Sequence, residues 1–163
     1  MENLWAPWRM EYIMGEAAKK TEGCVFCNIS KESNDVKNHI IHRAKTCYVV
    51  LNKFPYNNGH VMVIPFSHKA DLLSLPIEGQ NECQLMINKT ISALRKSFNP
   101  QGINVGLNLG TAAGAGISEH LHWHILPRWS GDTNFMPAVA GIKVISESLD
   151  DTYKKLKKTF LEL

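Results

Sequence analysis

The chain has 163 residues and a mass of 18.3 kDa, which allows one compact domain and is short for two. Its hydrophobic fraction of 44% and charged fraction of 20% are ordinary for a globular protein. The net charge of +3 and the pI of 8.7 suit a phosphate-bearing small molecule but not nucleic acid, which needs a concentrated basic stripe.

The N-terminal region predicts neither membrane insertion nor secretion. No apolar run approaches the ~18 residues that a transmembrane helix needs. Residues 1–10 mix aromatic and polar side chains rather than forming a signal sequence, so we predict a cytoplasmic protein. Residues 1–20 carry Trp5 and Trp8, whose exposure to water would be unfavourable. We expect this aromatic arm to pack on the body of the protein or on a partner subunit.

The first half of the chain predicts an antiparallel pair of strands. Residues 30–38 are polar and typical of a loop. Residues 47–51 are rich in β-branched and aromatic side chains, and residues 60–65 form a second strand that ends at a proline. The turn-forming residues 55–59 lie between the two strands.

The second half predicts a helix, two strands and a terminal helix. Apolar residues recur at helical spacing within residues 79–98, and residues 99–102 end that helix. Residues 103–107 alternate apolar with polar or small side chains, as in a half-buried strand. A terminal amphipathic helix is predicted over residues 146–162. Without repeats or a linker, residues 1–163 are predicted to form a single α+β domain with an antiparallel sheet.

The most informative segment contains His120, His122 and His124 at alternate positions. On a strand, alternate residues share a face, so the three imidazoles would line one side and the apolar residues between them the other. Chance alternation of core or surface histidines is one alternative. A catalytic three-histidine metal site is another, because His-x-His on a strand is a common ligand pair.

A loop of small residues, 110–118, precedes the histidines. Small side chains allow backbone N–H groups to approach phosphate oxygens, although a plain flexible loop would have the same composition. A neutral imidazole can attack a phosphate ester without charge repulsion, and the phosphoramidate that it forms can be displaced in turn. Loop N–H groups would stabilise the charge on the non-bridging oxygens. The two features together favour covalent phosphoryl chemistry.

These residues resemble the signature of the histidine-triad (HIT) superfamily of nucleotidyl hydrolases and transferases. The resemblance runs from residue 24 to residue 136 and includes residues 52–65, Asn108 and residues 120–128. The flanks at residues 4–9 and 129–136 resemble the branch that contains bacterial diadenosine tetraphosphate phosphorylases. The resemblance implies an α+β fold with helices packed on a five-stranded antiparallel sheet, which extends across a homodimer.

The resemblance also implies roles for individual residues. His122 would be the nucleophile, His124 would contact phosphate or assist the leaving group, and His60 would support the site from a neighbouring strand. Asn52 would bind ribose hydroxyls and Asn108 would contact phosphate. Further nucleotide contacts are expected from Gly114, Gly116, Ser118 and Trp129.

The loop before the histidines departs from the pattern of many family hydrolases. Those enzymes carry a glutamine there, whereas residues 114–119 of this chain contain none. The difference fits an enzyme whose second acceptor is inorganic phosphate rather than water. Ser118 and the N–H of Gly116 are the local candidates to hold that phosphate.

A second cluster concerns Cys24 and Cys27. A Cys-x-x-Cys pair alone fits a metal site, a redox pair or two buried small residues. With His68 and His120 it would complete a closed Cys₂His₂ site for structural zinc, and the resemblance to zinc-bearing family members points to the same four positions. The remaining candidates, His39, His42, Cys47 and Cys83, are expected in surface loops or the core.

The sequence therefore predicts an enzyme that cleaves a dinucleoside polyphosphate through a nucleotidyl-His122 intermediate, with an adenine-containing substrate. A hydrolase that uses water on nucleoside phosphoramidates or dinucleotides is the alternative of the same class. A non-catalytic nucleotide-binding or interaction module is the alternative of a different class.

Overall fold

The computed structural model describes residues 23–133 and 144–163. The predicted aromatic arm (1–20) and the flank at 134–136 lie outside these residues. In chain order the elements are α1 (Val25–Lys31), β1 (Ile40–Arg43), β2 (Cys47–Leu51), β3 (Val61–Pro65), α2 (Ile77–Phe98), β4 (Gly102–Leu107), β5 (Trp123–Arg128) and α3 (Leu149–Leu161). Within the described ranges, no helix combines the length and apolarity needed to cross a bilayer.

The five strands form one antiparallel sheet in the order β1-β2-β3-β5-β4, which confirms the predicted fold class. Strand β1 was not predicted because Ile40 and Ile41 are both buried, so the strand shows no alternation along its four residues. Helix α1 was also not predicted. Its seven residues include Ser30 and Lys31, which the sequence placed in a loop, and no side chain caps its N-terminus.

One face of the sheet is covered by α2 and α3. The buried side chains of α2 recur at helical spacing and meet the inward residues of β2 and β3, including Val49 and Val63. Helix α2 begins at Ile77, two residues earlier than predicted, and ends at Phe98 as predicted. Asn99 then adopts a left-handed conformation with φ 45°. Helix α3 begins at Leu149 rather than at 146, because the Ser148 hydroxyl caps it by accepting from the N–H of Asp151.

The opposite face of the sheet carries a second apolar cluster under α1. Its buried members are Phe26, Ile40, Tyr48, Val50, Met62 and Ile64. The Tyr48 hydroxyl donates to the carbonyl of Phe26 at 2.9 Å and so fastens α1 to β2. Because Met62 lies opposite His124 in the β3–β5 register, His124 belongs to this face.

Strand β4 is one edge of the sheet, and it is more exposed than the predicted half-buried strand. Ile103 and Leu107 are partly buried, but Val105 is 46% exposed. The side chains of β4 alternate with the predicted phase. The strand is less buried than predicted because β4 pairs with β5 alone among the described strands.

Candidate active site

The histidine segment is only partly a strand. Strand β5 begins at Trp123, so His120 and His122 precede it, contrary to the prediction of a strand from residue 120. Continuing the β3–β5 register would place Leu121 opposite Pro65, which has no amide N–H to donate. The N–H of Leu121 instead donates to the carbonyl of Lys69 at 2.7 Å.

The side chains nevertheless separate as the alternation predicts. Trp123 and Ile125 contact the core under α2 and α3. On the other face, the Phe26 ring lies 5.0 Å from the His122 ring and 5.6 Å from the His120 ring. A cluster of three rings contains His122, His124 and His60, with 5.0 Å between neighbouring ring centroids. The His120 ring belongs to an adjacent thiol–imidazole cluster, which consists of Cys24, Cys27, His68 and His120.

His122 is held in one tautomer. Its Nδ1 lies 2.7 Å from the backbone carbonyl of His120, which can only accept, so we assign the proton to Nδ1. The lone pair is therefore on Nε2. With the side chain buried and 5% of the residue exposed, the His122 imidazole is fixed in place rather than a mobile surface group.

His60 and His124 form a directed hydrogen-bonded pair. His60 Nδ1 accepts from the N–H of Tyr56 at 3.1 Å and from Asn52 Nδ2 at 3.3 Å. The proton of His60 is consequently on Nε2, which donates to His124 Nδ1 at 2.8 Å. This arrangement leaves His124 with a protonated Nε2, so it can donate a hydrogen bond beside the His122 ring.

Burial keeps the pair neutral. It lowers the pKa of His60 to about 3, and the neighbouring His124 and His122 add to the effect. Burial and then the proximity of His122 lower the pKa of His124 to about 4. The His60–His124 hydrogen bond requires a neutral His124, because a protonated His124 could not accept from His60 at Nδ1.

Asn52 is fixed at the end of β2, where the sequence placed a ribose contact. Its Oδ1 accepts from the N–H of Phe54 at 2.9 Å, and its Nδ2 points to His60. The structure thus links the predicted ribose residue to the imidazole pair.

The glycine loop is folded back towards Asn108. Gly110 and Gly114 flank a short 3-10 turn with φ of 80° and 89°, which only glycine adopts easily. A Cβ at Gly114 would lie 3.7 Å from Asn108 Nδ2, so these two predicted nucleotide contacts are neighbours.

Gly116 and Ser118 occupy a different part of the loop. They line a cleft of about 310 Å³ together with Cys24, Val25 and Glu119, beside the thiol–imidazole cluster. Their assignment as phosphate contacts stays a prediction.

Trp129 is positioned by residues that the sequence did not single out. The backbone N–H of Trp129 donates to Asp132 Oδ2 at 3.1 Å. The same oxygen accepts from Asn57 Nδ2 at 2.8 Å and from Arg128 Nε at 2.6 Å. Asn57 also donates to the carbonyl of Pro127 at 3.0 Å. The Arg128 hydrogen bond is the largest cause of the lowered pKa of the Asp132 carboxyl. Only the recurrence of Asn and Asp near turns hinted at these residues.

Cys24, Cys27, His68 and His120 come together as predicted, with their donor atoms within 4.8 Å of one another. His120 Nδ1 lies 3.3 Å and 3.5 Å from the two sulfurs and 3.2 Å from His68 Nδ1. Tetrahedral zinc, with Zn–N of about 2.0 Å and Zn–S of about 2.3 Å, needs donor separations of roughly 3.3 Å between nitrogens to 3.8 Å between sulfurs. The His120 Nε2–H donates to the Pro65 carbonyl at 2.8 Å, which aims Nδ1 at the cluster. The donor set fits a zinc ion.

The remaining candidates take structural positions, as expected. His39 pairs with Asp150 at 2.9 Å. His42 lies against the Phe160 ring, with 5.2 Å between centroids. Cys47 and Cys83 are buried in the core.

Comparison with known proteins independently supports the family resemblance. The family model described as "HIT domain" matches residues 33–131. An AP-4-A phosphorylase from Mycobacterium tuberculosis is 38% identical over 162 residues, which cover 96% of this chain and 83% of the relative. An adenosine 5'-monophosphoramidase from Candida albicans is 29% identical, with coverage of 83% and 90%.

Comparison with solved structures supports the same family. A zinc-bound histidine triad family protein from Mycobacterium smegmatis superimposes with a TM-score of 0.69 at 25% identity, covering 86% of this chain and 94% of that protein. Together with the triad geometry, these matches show that the chain belongs to the HIT family.

Proposed function

We propose that this chain is a nucleotide-processing enzyme that cleaves dinucleoside polyphosphates of the diadenosine tetraphosphate type through a nucleotidyl-His122 intermediate. The observation that carries the proposal is the His122 tautomer, whose unprotonated Nε2 stands beside the donor His124. The Mycobacterium tuberculosis relative, named an AP-4-A phosphorylase, supports the substrate class.

The first step transfers the nucleotide to the enzyme. His122 Nε2 attacks the α-phosphorus, an N–P bond forms, and the bond from phosphorus to the bridging oxygen breaks. His124 Nε2–H donates to the departing oxygen. Positive charge that develops on the His122 ring is stabilised through Nδ1–H by the carbonyl of His120, 2.7 Å away.

The second step returns the nucleotide to an acceptor. We propose inorganic phosphate, one of whose oxygens attacks phosphorus, breaks the N–P bond and leaves a nucleoside diphosphate with His122 restored. The absence of glutamine from residues 114–119 and the name of the relative support phosphate. We assign Ser118 and Gly116 to that phosphate, Asn52 to ribose, and Asn108, Gly114 and Trp129 to other parts of the nucleotide.

Cys24, Cys27, His68 and His120 would hold zinc as a structural ion. When bound, zinc supplies a covalent cross-link between the start of α1 and the histidine segment. His120 belongs to both sites, because its ring is a donor to the cluster and its carbonyl accepts from the nucleophile. Its Nε2–H bond to Pro65 and the ligation together would keep that carbonyl in place.

The assembly and location are also proposals. Strand β4 leaves an edge of the described sheet open, with Val105 46% exposed, and a second copy of the chain could extend the sheet there. Cys24, Cys27, Cys47 and Cys83 are free thiols, which suits the reducing cytoplasm. A monomeric elution profile in size-exclusion chromatography would contradict the homodimer.

The decisive experiment is product analysis with diadenosine tetraphosphate, with and without inorganic phosphate. Phosphate-dependent release of a nucleoside diphosphate is expected, together with an adenylyl group on His122 in acid-free mass spectrometry. His122→Ala should lose activity by at least about a thousandfold. The matched histidine control is His39→Ala, on the α3 side, which should keep its activity. Undiminished turnover in His122→Ala would refute the proposal.

The second candidate is hydrolysis with water as acceptor, on phosphoramidates or dinucleotides. The adenosine 5'-monophosphoramidase relative favours it, since the same intermediate serves both reactions. Release of nucleoside monophosphate at a rate independent of phosphate would select this candidate.

A further inference from the structure

Tyr56 lies against the imidazole pair without having been singled out by the sequence. Its ring centroid is 4.8 Å from that of His60 and 5.7 Å from that of His124, with a 28° angle to the His124 plane. The residue is 54% exposed, so one side of the ring covers the histidines and the other faces outward.

The ring and the backbone of Tyr56 serve the same pair. The backbone N–H donates to His60 Nδ1 at 3.1 Å and thereby sets the His60 tautomer. No hydrogen bond to the hydroxyl occurs within residues 23–133 and 144–163, so the contact with His124 is made by the ring alone.

A histidine ring needs this kind of support to keep its direction. The torsion that turns an imidazole is broad and nearly two-fold, so a flip at little torsional cost would put Cδ2 in the place of Nδ1 and Cε1 in the place of Nε2. In His124 such a flip would remove the acceptor from His60, which lies at 2.8 Å, and would turn the donor away from the nucleophile. The rings that contact His124 in the described structure are those of His60, His122 and Tyr56, and Tyr56 is the one on the exposed side.

We propose that Tyr56 is a positioning residue for His124: its ring packs on the imidazole and holds Nε2–H towards the leaving oxygen. The inference rests on the proposed function, since it assigns His124 as the donor. It attributes the effect to the aromatic ring and not to the hydroxyl.

Tyr56→Ala removes the ring but keeps the backbone N–H that binds His60, so it isolates the side chain. We expect kcat with diadenosine tetraphosphate to fall between about ten- and a hundredfold, because a misoriented donor loses only part of the roughly 10²–10⁴-fold that general acid catalysis contributes, and KM to change by less than about threefold. Tyr56→Phe should stay within about twofold of the wild type, because the hydroxyl has no hydrogen-bond partner among the described residues. Tyr56→Leu, which keeps an apolar side chain, serves if the alanine variant folds poorly.

The second measurement does not depend on turnover. ¹⁵N spectra of histidine-labelled protein at a fixed neutral pH should show His124 in one tautomer, protonated at Nε2, in the wild type and in Tyr56→Phe. In Tyr56→Ala or Tyr56→Leu, His124 should populate both tautomers while His122 keeps its Nδ1 proton. An unchanged His124 signal, an unchanged kcat, or an equal loss in Tyr56→Phe would overturn the assignment. A wild type without turnover but with the expected His124 spectra would instead indicate that the proposed function is wrong.

Discussion

Burial of His60 makes the free energy of unfolding of the protein depend on pH. The pKa of His60 is about 3 in the folded state, against 6.5 for an exposed histidine. Between these values the unfolded chain binds more protons than the folded chain, so stability is full above about pH 6.5 and falls as the pH drops towards 3. His60 is 1% exposed, so solvent screening does not discount the effect.

From about pH 7 to pH 5, linkage assigns a loss of about 2 kcal/mol in the free energy of unfolding to His60 alone. His124, with a pKa of about 4, shifts stability in the same direction. The assay is urea denaturation at both pH values, with zinc content measured in each sample, since acid also protonates the metal ligands.

His60→Asn is the matched variant. It cannot be protonated in this range, so its loss of stability between the two pH values should be smaller than that of the wild type by about 2 kcal/mol. The metal cluster is common to both proteins and cancels in the comparison. Equal losses in the two proteins would refute the idea that a buried neutral imidazole occupies this position.

Three other predictions concern the metal, the loop and the network around Trp129. Cys24→Ser should reduce bound zinc well below about one ion per chain and lower Tm, measured by metal analysis and calorimetry, whereas Cys83→Ser should leave zinc content unchanged. Gly114→Ala should destabilise by about 1–2 kcal/mol because of its φ of 89°; Gly116→Ala, where a Cβ meets nothing within 4 Å, should unfold in urea like the wild type. Asp132→Asn removes the charge paired with Arg128 and should raise KM several-fold with little change in kcat; an unchanged KM would contradict a role in positioning Trp129.

Much of the fold was already determined by local patterns. The existence and the end of α2 and the alternation around the histidines follow from periodicity, and the strand at 47–51 follows from its β-branched and aromatic residues; both signals are local. Strand β1 and helix α1 were not predicted because four and seven residues are too few to show a period, and both elements pack against the second apolar cluster, which includes Tyr48.

For the site, the sequence by itself determined which residue types were available: three alternating histidines, the Cys-x-x-Cys pair and a loop rich in glycine. Only the tertiary structure decided which nitrogen carries each proton, because that depends on where each ring points, and His124 and His120 contact partners far away in the chain. The His60–His124 bond joins residues 64 positions apart, and the His120–Cys24 contact joins residues 96 positions apart. Such long-range hydrogen bonds have no local pattern, so Tyr56, Asn57 and Asp132 acquired their roles only when folding brought them against the histidine segment.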